Sequence, residues 1–273
     1  NMAELFINQA KNYAKARPGY PQELFDFIVS KTREQTLVWD VGTGSGQAAK
    51  SLARIFKNVI GTDTSAKQLE LAPPLPNVRY HQTPPVMSMA QLEQTVSGES
   101  SVDLVTVAQA LHWFDLPAFY RQVNWVLKKP YGVIAAWCYS LPEVNESVDG
   151  VLIPFYKDVT DPFWEPPRKL VEERYTTIDF PFEPVEGTDS TGPFMFAAEK
   201  LMDLDDFLTH LRSWSACQTA KDKGIELLTE EVLQDFQCAW SRDGTAKKVV
   251  RFPLSLKIGR ATIYRPNLKI DGA

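Results

Sequence analysis

The sequence predicts an α/β fold built around a mostly parallel sheet, and three observations carry that prediction. An apolar segment at residues 37–41 runs into three alternating glycines, which is typical of a buried strand that turns sharply into a helix. Further apolar segments follow at 58–63, 78–80, 101–108 and 133–137. Helical periodicity separates several of them, and strands that alternate with helices favour parallel βαβ units.

Composition and charge narrow the possible functions. The chain has 273 residues, 44% of them hydrophobic, which is enough to bury a full core. Its formal net charge of −5 argues against nucleic acid as a partner, because such binding needs Lys and Arg to neutralise phosphates. The three cysteines are widely spaced and suggest neither a disulfide framework nor a metal site. We therefore expect a cytoplasmic monomer or homodimer that acts on a small molecule, with no membrane segment.

The glycines indicate a binding site for a nucleotide-like ligand. Gly42, Gly44 and Gly46 let the backbone approach a ligand closely, and the helix that follows points unpaired N–H groups at it. Residues 44–49 also fit the dinucleotide fingerprint G-x-G-x-x-G/A, with Asp63 at about the expected ~20-residue distance. The motif alone leaves NAD and other adenosine cofactors open.

Two acidic residues indicate which groups of a ligand this site would bind. Asp63 ends the second predicted strand, where a carboxylate can accept hydrogen bonds from both ribose hydroxyls, and it could also cap the helix through Lys67 to Leu69. Asp40 precedes the glycines, and its negative charge suits a cationic amino group better than a pyrophosphate.

The end of the fourth strand should line the ligand crevice. Residues 109–115 follow that strand, and in an open parallel sheet this edge faces the ligand. His112 lies there beside two aromatic residues, which makes it a candidate catalytic group. Asp115 is positioned to cap the next helix.

The remaining segments predict a lid and a cap. Residues 13–21 hold a Pro-Gly pair with aromatic and basic side chains, which suggests a loop over the ligand. Residues 140–200 are rich in proline and aromatic residues and predict an irregular insertion that covers the substrate. Helices should begin after Asp203 and Thr229, and alternation predicts a strand at 250–258.

With these features in view, the chain resembles the class I S-adenosylmethionine-dependent methyltransferases. It looks most like their small-molecule branch, which includes the trans-aconitate and cantharidin carboxyl methyltransferases. The resemblance covers nearly the whole chain and is carried by five segments: residues 13–21, 40–46, 61–65, 111–115 and 212–215.

The resemblance implies a doubly wound, Rossmann-like sheet of seven strands with a cap inserted after the fifth. It implies one domain over 1–273: an N-terminal lid and helix (1–36), a cofactor-binding half (37–139), a substrate-covering insertion (140–200) and C-terminal helices with a strand (201–273).

The resemblance also implies S-adenosyl-L-methionine as the cofactor. The expected cofactor contacts are Tyr20, Asp40, Gly42, Thr43, Gly44, Asp63, Thr64, Gln109 and Ala110. The expected substrate contacts are Tyr13, Arg17, His112, Trp113 and Trp137, with His112 catalytic and no metal. Many such enzymes place an acid after the third strand to bind the adenine amino group, whereas this chain has His81-Gln82-Thr83. Adenine recognition is left to Gln82, Thr83 or backbone groups.

The expected reaction is methyl transfer to a carboxylate oxygen. A carboxylate is already ionised at neutral pH, so His112 or Arg17 would only orient it. If the acceptor is instead an amine or hydroxyl, His112 would serve as the general base. A cofactor-binding protein without turnover is the non-enzymatic alternative.

Overall fold

The computed structural model describes residues 19–262, and the elements are numbered along this part of the chain. The chain divides into two compact units. What we call the sheet unit comprises residues 22–138, 176–194 and 256–262. What we call the helical unit comprises residues 19–21, 139–175 and 195–255.

Seven strands form one sheet in the order β3-β2-β1-β4-β5-β7-β6, which confirms the predicted fold class. Strands β1 to β5 pair in parallel. The order reverses between β1 and β4, and in open sheets of this kind ligands bind outside the carboxyl ends of the strands at that point. The bounds are β1 (Leu37–Val41), β2 (Asn58–Asp63), β3 (Val78–Gln82), β4 (Leu104–Ala108), β5 (Val133–Tyr139), β6 (Phe194–Met202) and β7 (Lys248–Arg260).

Ten α-helices are described between residues 19 and 262. They are α1 (Gln22–Ser30), α2 (Gln47–Leu52), α3 (Ala66–Leu69), α4 (Met89–Thr95), α5 (Leu116–Val126), α6 (Glu146–Pro154), α7 (Arg168–Glu172), α8 (Leu204–Arg212), α9 (Ser215–Asp222) and α10 (Glu230–Ser241). None of these helices is both long and apolar enough to cross a membrane.

Local sequence explains where the helices near the crevice begin. The side chain of Asp115 accepts a hydrogen bond from the Ala118 amide at 3.2 Å, as predicted, and caps α5. The cap of α3 differs from the alternative considered for Asp63, because the Ser65 hydroxyl accepts from the Gln68 amide. Asp63 is thereby left available for another role.

A buried acid fixes the central strands against each other. Asp103, only 3% exposed, accepts hydrogen bonds from the backbone amides of Thr36 and Leu37 at 3.0 and 2.8 Å. Its other oxygen pairs with the ammonium group of Lys128 at 2.6 Å. Since Leu37 begins β1 and Asp103 directly precedes β4, these bonds hold the two strands that flank the crevice in register.

The segment 140–200 is more regular than its composition predicts. It contains α6, a π-helical turn (Phe155–Val159), a 3₁₀ turn (Asp161–Phe163), α7 and most of β6. Exposed and less exposed positions largely alternate along β6, but Met195 and Leu201 are apolar side chains on the exposed face, so the sequence shows no alternation of hydropathy. The predicted roles of residues 1–36 as lid and 140–200 as substrate cover stay predictions.

The helical unit has its own apolar core. Helices α8 and α10 begin where predicted, with Asp203 and Thr229 as their caps. The buried side chains of this core come mainly from α6, α8, α10 and β7, and include Val148, Leu152, Phe155, Phe207, Leu211, Phe236, Trp240 and Phe252.

Candidate active site

The turn after β1 adopts a backbone that favours glycine at three positions. Gly42, Gly44 and Gly46 have φ angles of 65°, 58° and 80°. Space is also restricted, because a Cβ on Gly42 would lie 2.9 Å from the Ala110 Cβ and one on Gly46 would lie 2.6 Å from the Tyr80 hydroxyl. The turn therefore presents bare backbone at the carboxyl end of β1.

Asp40 lies beneath this turn and is almost completely buried, with 1% of its surface exposed. Its two oxygens accept hydrogen bonds from the hydroxyls of Thr43 at 2.6 Å and Thr106 at 2.7 Å. Burial raises the pKa of this carboxyl to about 6, although both hydroxyls oppose the shift. Asp40 therefore takes up a proton more readily than an exposed aspartate does, and its contact with the cofactor stays a prediction.

Asp63 is held in place by backbone donors at the end of β2. Its Oδ2 accepts from the Gly44 amide and its Oδ1 from the Ser65 amide, both at 2.8 Å. A carboxylate has about four acceptor positions, so both oxygens can still accept hydrogen bonds from a ligand. Asp63 and Thr64 line the same pocket.

That pocket lies wholly within the sheet unit and has a volume of about 270 Å³. The sequence-predicted residues in its wall are Gly42, Asp63, Thr64, Ala110 and Trp113. Thr83, the candidate for adenine recognition, and Phe114 and Asp115 of the predicted crevice edge also lie in the wall. The other wall residues were not assigned to the site from the sequence: Trp39, Val41, Thr62, Pro84, Pro85, Val86, Met87, Phe119 and Gln122. Within residues 19–262 no three His, Cys, Asp or Glu side chains are grouped as a metal ion would require.

The segment after β4 brings His112 and Trp113 close to this wall. Gln109 has a positive φ of 63° and donates its amide to the Trp137 carbonyl at 2.9 Å. A 3₁₀ turn, Leu111–Trp113, follows, and the His112 and Trp113 rings lie 5.0 Å apart. Trp113 lines the pocket with half of its surface exposed, so a flat apolar face is open to a ligand.

Other predicted residues occupy different surroundings. The Thr43 side chain points to Asp40. Trp137 is completely buried, with its ring edge-on to Phe25 at 6.0 Å, and its contact with a substrate stays a prediction. Tyr20, in the helical unit, stacks on Tyr139 at 5.6 Å. Tyr13 and Arg17 lie outside the described residues.

Comparison with known proteins decides the family. Residues 39–136 match the family described as the methyltransferase domain. A Dictyostelium discoideum protein named as a methyltransferase is 33% identical over 261 residues, which cover 93% of this chain and 94% of the relative. The chain belongs to the class I S-adenosylmethionine-dependent methyltransferases.

Two more similarities agree with this assignment. A solved structure of a type II methyltransferase from Anaeromyxobacter dehalogenans is 31% identical, has a TM-score of 0.76, and covers 91% of this chain and 99% of its own. A Saccharomyces cerevisiae protein named as an S-adenosylmethionine-dependent methyltransferase is 28% identical over 231 residues, 76% of this chain and 79% of the relative. Among NAD and the other adenosine cofactors that the glycine motif left open, the family selects S-adenosylmethionine, while the trans-aconitate branch stays a prediction.

The methyltransferase pocket has features that fit S-adenosylmethionine. The glycine turn offers close approach of the backbone, which added Cβ atoms would obstruct. The Asp63 carboxylate offers acceptors for a ribose, and the apolar wall from Pro84 to Met87 offers a surface for a flat base. We expect these residues to hold the cofactor.

The buried acid makes a pH-dependent contribution to stability. The carboxyl of Asp40 has an ordinary pKa of 3.8 and a folded pKa of about 6, so between these values the folded state binds a proton that the unfolded chain lacks. Its stabilising contribution is therefore greatest below the ordinary pKa and is lost as the pH rises through the folded pKa. Asp40→Asn removes this titration. In urea unfolding, the stability of the wild type relative to the variant should rise by roughly 2 kcal/mol from about pH 7.5 to about pH 4.5.

Asp26→Asn is the matched control, because Asp26 is exposed on α1. Its profile should follow that of the wild type. If Asp40→Asn also ran parallel to the wild type across this range, Asp40 would not be the buried titrating acid.

Proposed function

We propose that this methyltransferase acts on a small molecule and transfers the methyl group to a carboxylate oxygen. When bound, S-adenosylmethionine supplies a methyl group on a positively charged sulfur, which an ionised oxygen can attack directly. The observation that supports the proposal is in the turn after β4, where the His112 ring lies 5.0 Å from the ring of Trp113, a residue of the pocket wall. The likeness of this His-Trp-Phe-Asp segment to the carboxyl methyltransferases supports the same acceptor.

A carboxylate needs orientation rather than activation. Its ordinary pKa near 4 leaves it ionised at neutral pH, so no group has to remove a proton before it reacts. An imidazole N–H can donate to one acceptor oxygen and leave the other directed at the methyl group. We assign this donor role to His112. Catalysis then depends chiefly on holding the two reactants in line.

Trp113 completes the proposed acceptor surface. Its ring is in contact with that of His112 and half exposed at the pocket wall. An apolar face beside a hydrogen-bond donor suits a small molecule that carries a carboxylate on a hydrocarbon or unsaturated frame. The proposal therefore favours a compact organic acid over an amine or a sugar.

The acceptor class is tested by the lability of the product. The enzyme should be incubated with methyl-labelled cofactor and a panel of di- and tricarboxylic acids, aromatic acids, amines and phenols. A methyl ester releases labelled methanol in mild alkali, whereas N-methyl and ether products retain the label. Alkali-volatile label from an acid is the expected result. Stable label from an amine or phenol, with none from acids, would contradict the carboxylate assignment.

His112→Gln distinguishes an orienting donor from a general base. Glutamine keeps an N–H donor of similar reach but cannot take up a proton. With the acid acceptor, kcat/KM should stay within about tenfold of the wild type, whereas loss of a general base would cost roughly 10²–10⁴.

His81→Gln serves as the control, because His81 lies on β3 outside the pocket wall. It should leave kcat/KM unchanged. A fall above a hundredfold for His112→Gln, in a folded variant that still binds cofactor, would assign His112 to general-base catalysis.

A further inference from the structure

One polar side chain in the pocket wall has an unused acceptor. Gln122, on α5, is 8% exposed, and its Nε2 donates to the Met87 carbonyl at 2.5 Å. A carbonyl can only accept, so this bond fixes the amide orientation and leaves Oε1 as the other end. Within residues 19–262 this oxygen has no hydrogen-bond partner. The oxygen is not fully enclosed by protein atoms, so it retains contact with open space.

The surroundings of Gln122 match the needs of a purine base. Apolar side chains of Val86, Met87, Phe114 and Phe119 share the pocket wall with it, while Asp63 provides the ribose acceptor in the same pocket. The exocyclic amino group of adenine is a hydrogen-bond donor. The Gln122 oxygen lies beside these apolar side chains in the pocket wall. A base that displaced water from the pocket would leave this oxygen unpaired unless the base supplied a donor, and an unpaired buried acceptor is costly.

We propose that the amide oxygen of Gln122 accepts a hydrogen bond from the amino group of the cofactor's adenine. Gln122 thereby supplies the recognition for which the segment after β3 offers no acid. The separate Nε2 bond to the Met87 carbonyl links α5 to the segment that carries Pro84 to Met87 of the wall. This inference rests on the cofactor's identity and not on the carboxylate acceptor, so the acceptor screen and the test below can fail independently.

Other polar groups near the pocket are poorer candidates. Gln82 is exposed, lies outside the pocket wall and donates its Nε2 to the Thr64 carbonyl at 3.1 Å. Asp115 is exposed at the wall, where water can satisfy its carboxylate, and one of its oxygens caps α5. The Thr83 hydroxyl lines the pocket but is both donor and acceptor, so it can serve either kind of base edge.

The test compares two ligands that differ only at the base edge. S-adenosylhomocysteine carries the amino group, whereas S-inosylhomocysteine carries a carbonyl oxygen there, which would oppose the Gln122 oxygen. By calorimetry, wild-type protein should bind the adenosyl ligand about 10- to 100-fold more tightly, since a site built around a donor rejects an analogue that lacks it. Equal affinities for the wild type would overturn the proposal.

Gln122→Leu should remove the discrimination. The variant keeps a side chain of similar size but offers no acceptor, so the ratio of the two dissociation constants should fall to within about threefold. Loss of the bond to Met87 would weaken both ligands alike, so a purely structural role for Gln122 would leave the ratio at its wild-type value. If the Gln122→Leu variant fails to fold, Gln122→Met replaces it. Thermal unfolding verifies that each variant is folded.

Three controls separate the competing acceptors. Gln82→Leu makes the same chemical change outside the pocket wall and should keep the wild-type ratio. Thr83→Val and Asp115→Asn should keep it as well. Collapse of the ratio in any of these variants, with Gln122→Leu still discriminating, would assign adenine recognition to that residue and contradict the proposal.

Discussion

The active site depends on the backbone of the turn after β1. Three glycines hold left-handed conformations there, and Ala110 and Tyr80 approach two of them so closely that a Cβ would clash. The same turn accounts for the position of Asp63, whose carboxylate accepts from the Gly44 amide and is thereby held at the pocket wall. The glycines thus leave bare backbone at the carboxyl end of β1 and fix the position of Asp63, the predicted ribose acceptor.

Asp40 and Asp63 have different roles in the site because they differ in burial and in electrostatic surroundings. Asp40 is buried with both oxygens bonded to threonine hydroxyls, and its raised pKa reflects the cost of keeping a charge there. A cationic ligand nearby would favour its ionised form. Asp63 lies at the pocket wall with backbone donors on both oxygens and acceptor capacity to spare. One acid therefore supports the turn from below, while the other is placed to contact a ligand directly.

Sequence patterns predicted what is local and missed what depends on tertiary placement. The bounds of β1 and β2, and the caps Asp115, Asp203 and Thr229, follow from short-range patterning and were confirmed. Strand β6 was missed because apolar residues lie on both of its faces, with Met195 and Leu201 exposed, so the sequence does not alternate in hydropathy. Thr83 was a candidate for adenine recognition, but Pro84 to Met87 were not assigned to the site, because nothing local shows which segment faces a ligand.

Gln122 illustrates a signal that was present but unused. It lies on α5 among Phe119, Tyr120 and Val123, all buried. A polar residue at a buried helical position requires a hydrogen-bond partner, so Gln122 is as informative in the sequence as Asp63. The sequence could have marked Gln122 as unusual, but only the fold shows that it shares a pocket with Asp63.

We propose that the pocket beside the glycine turn binds the cofactor through Asp63, and calorimetric titration of S-adenosylhomocysteine tests this binding most directly. Asp63→Ala should weaken binding by roughly 2–4 kcal/mol relative to the wild type, because the ribose hydroxyls lose a charged acceptor. Asp26→Ala, an exposed acid on α1, should bind like the wild type. Unchanged affinity in folded Asp63→Ala would place the ribose elsewhere and contradict the account.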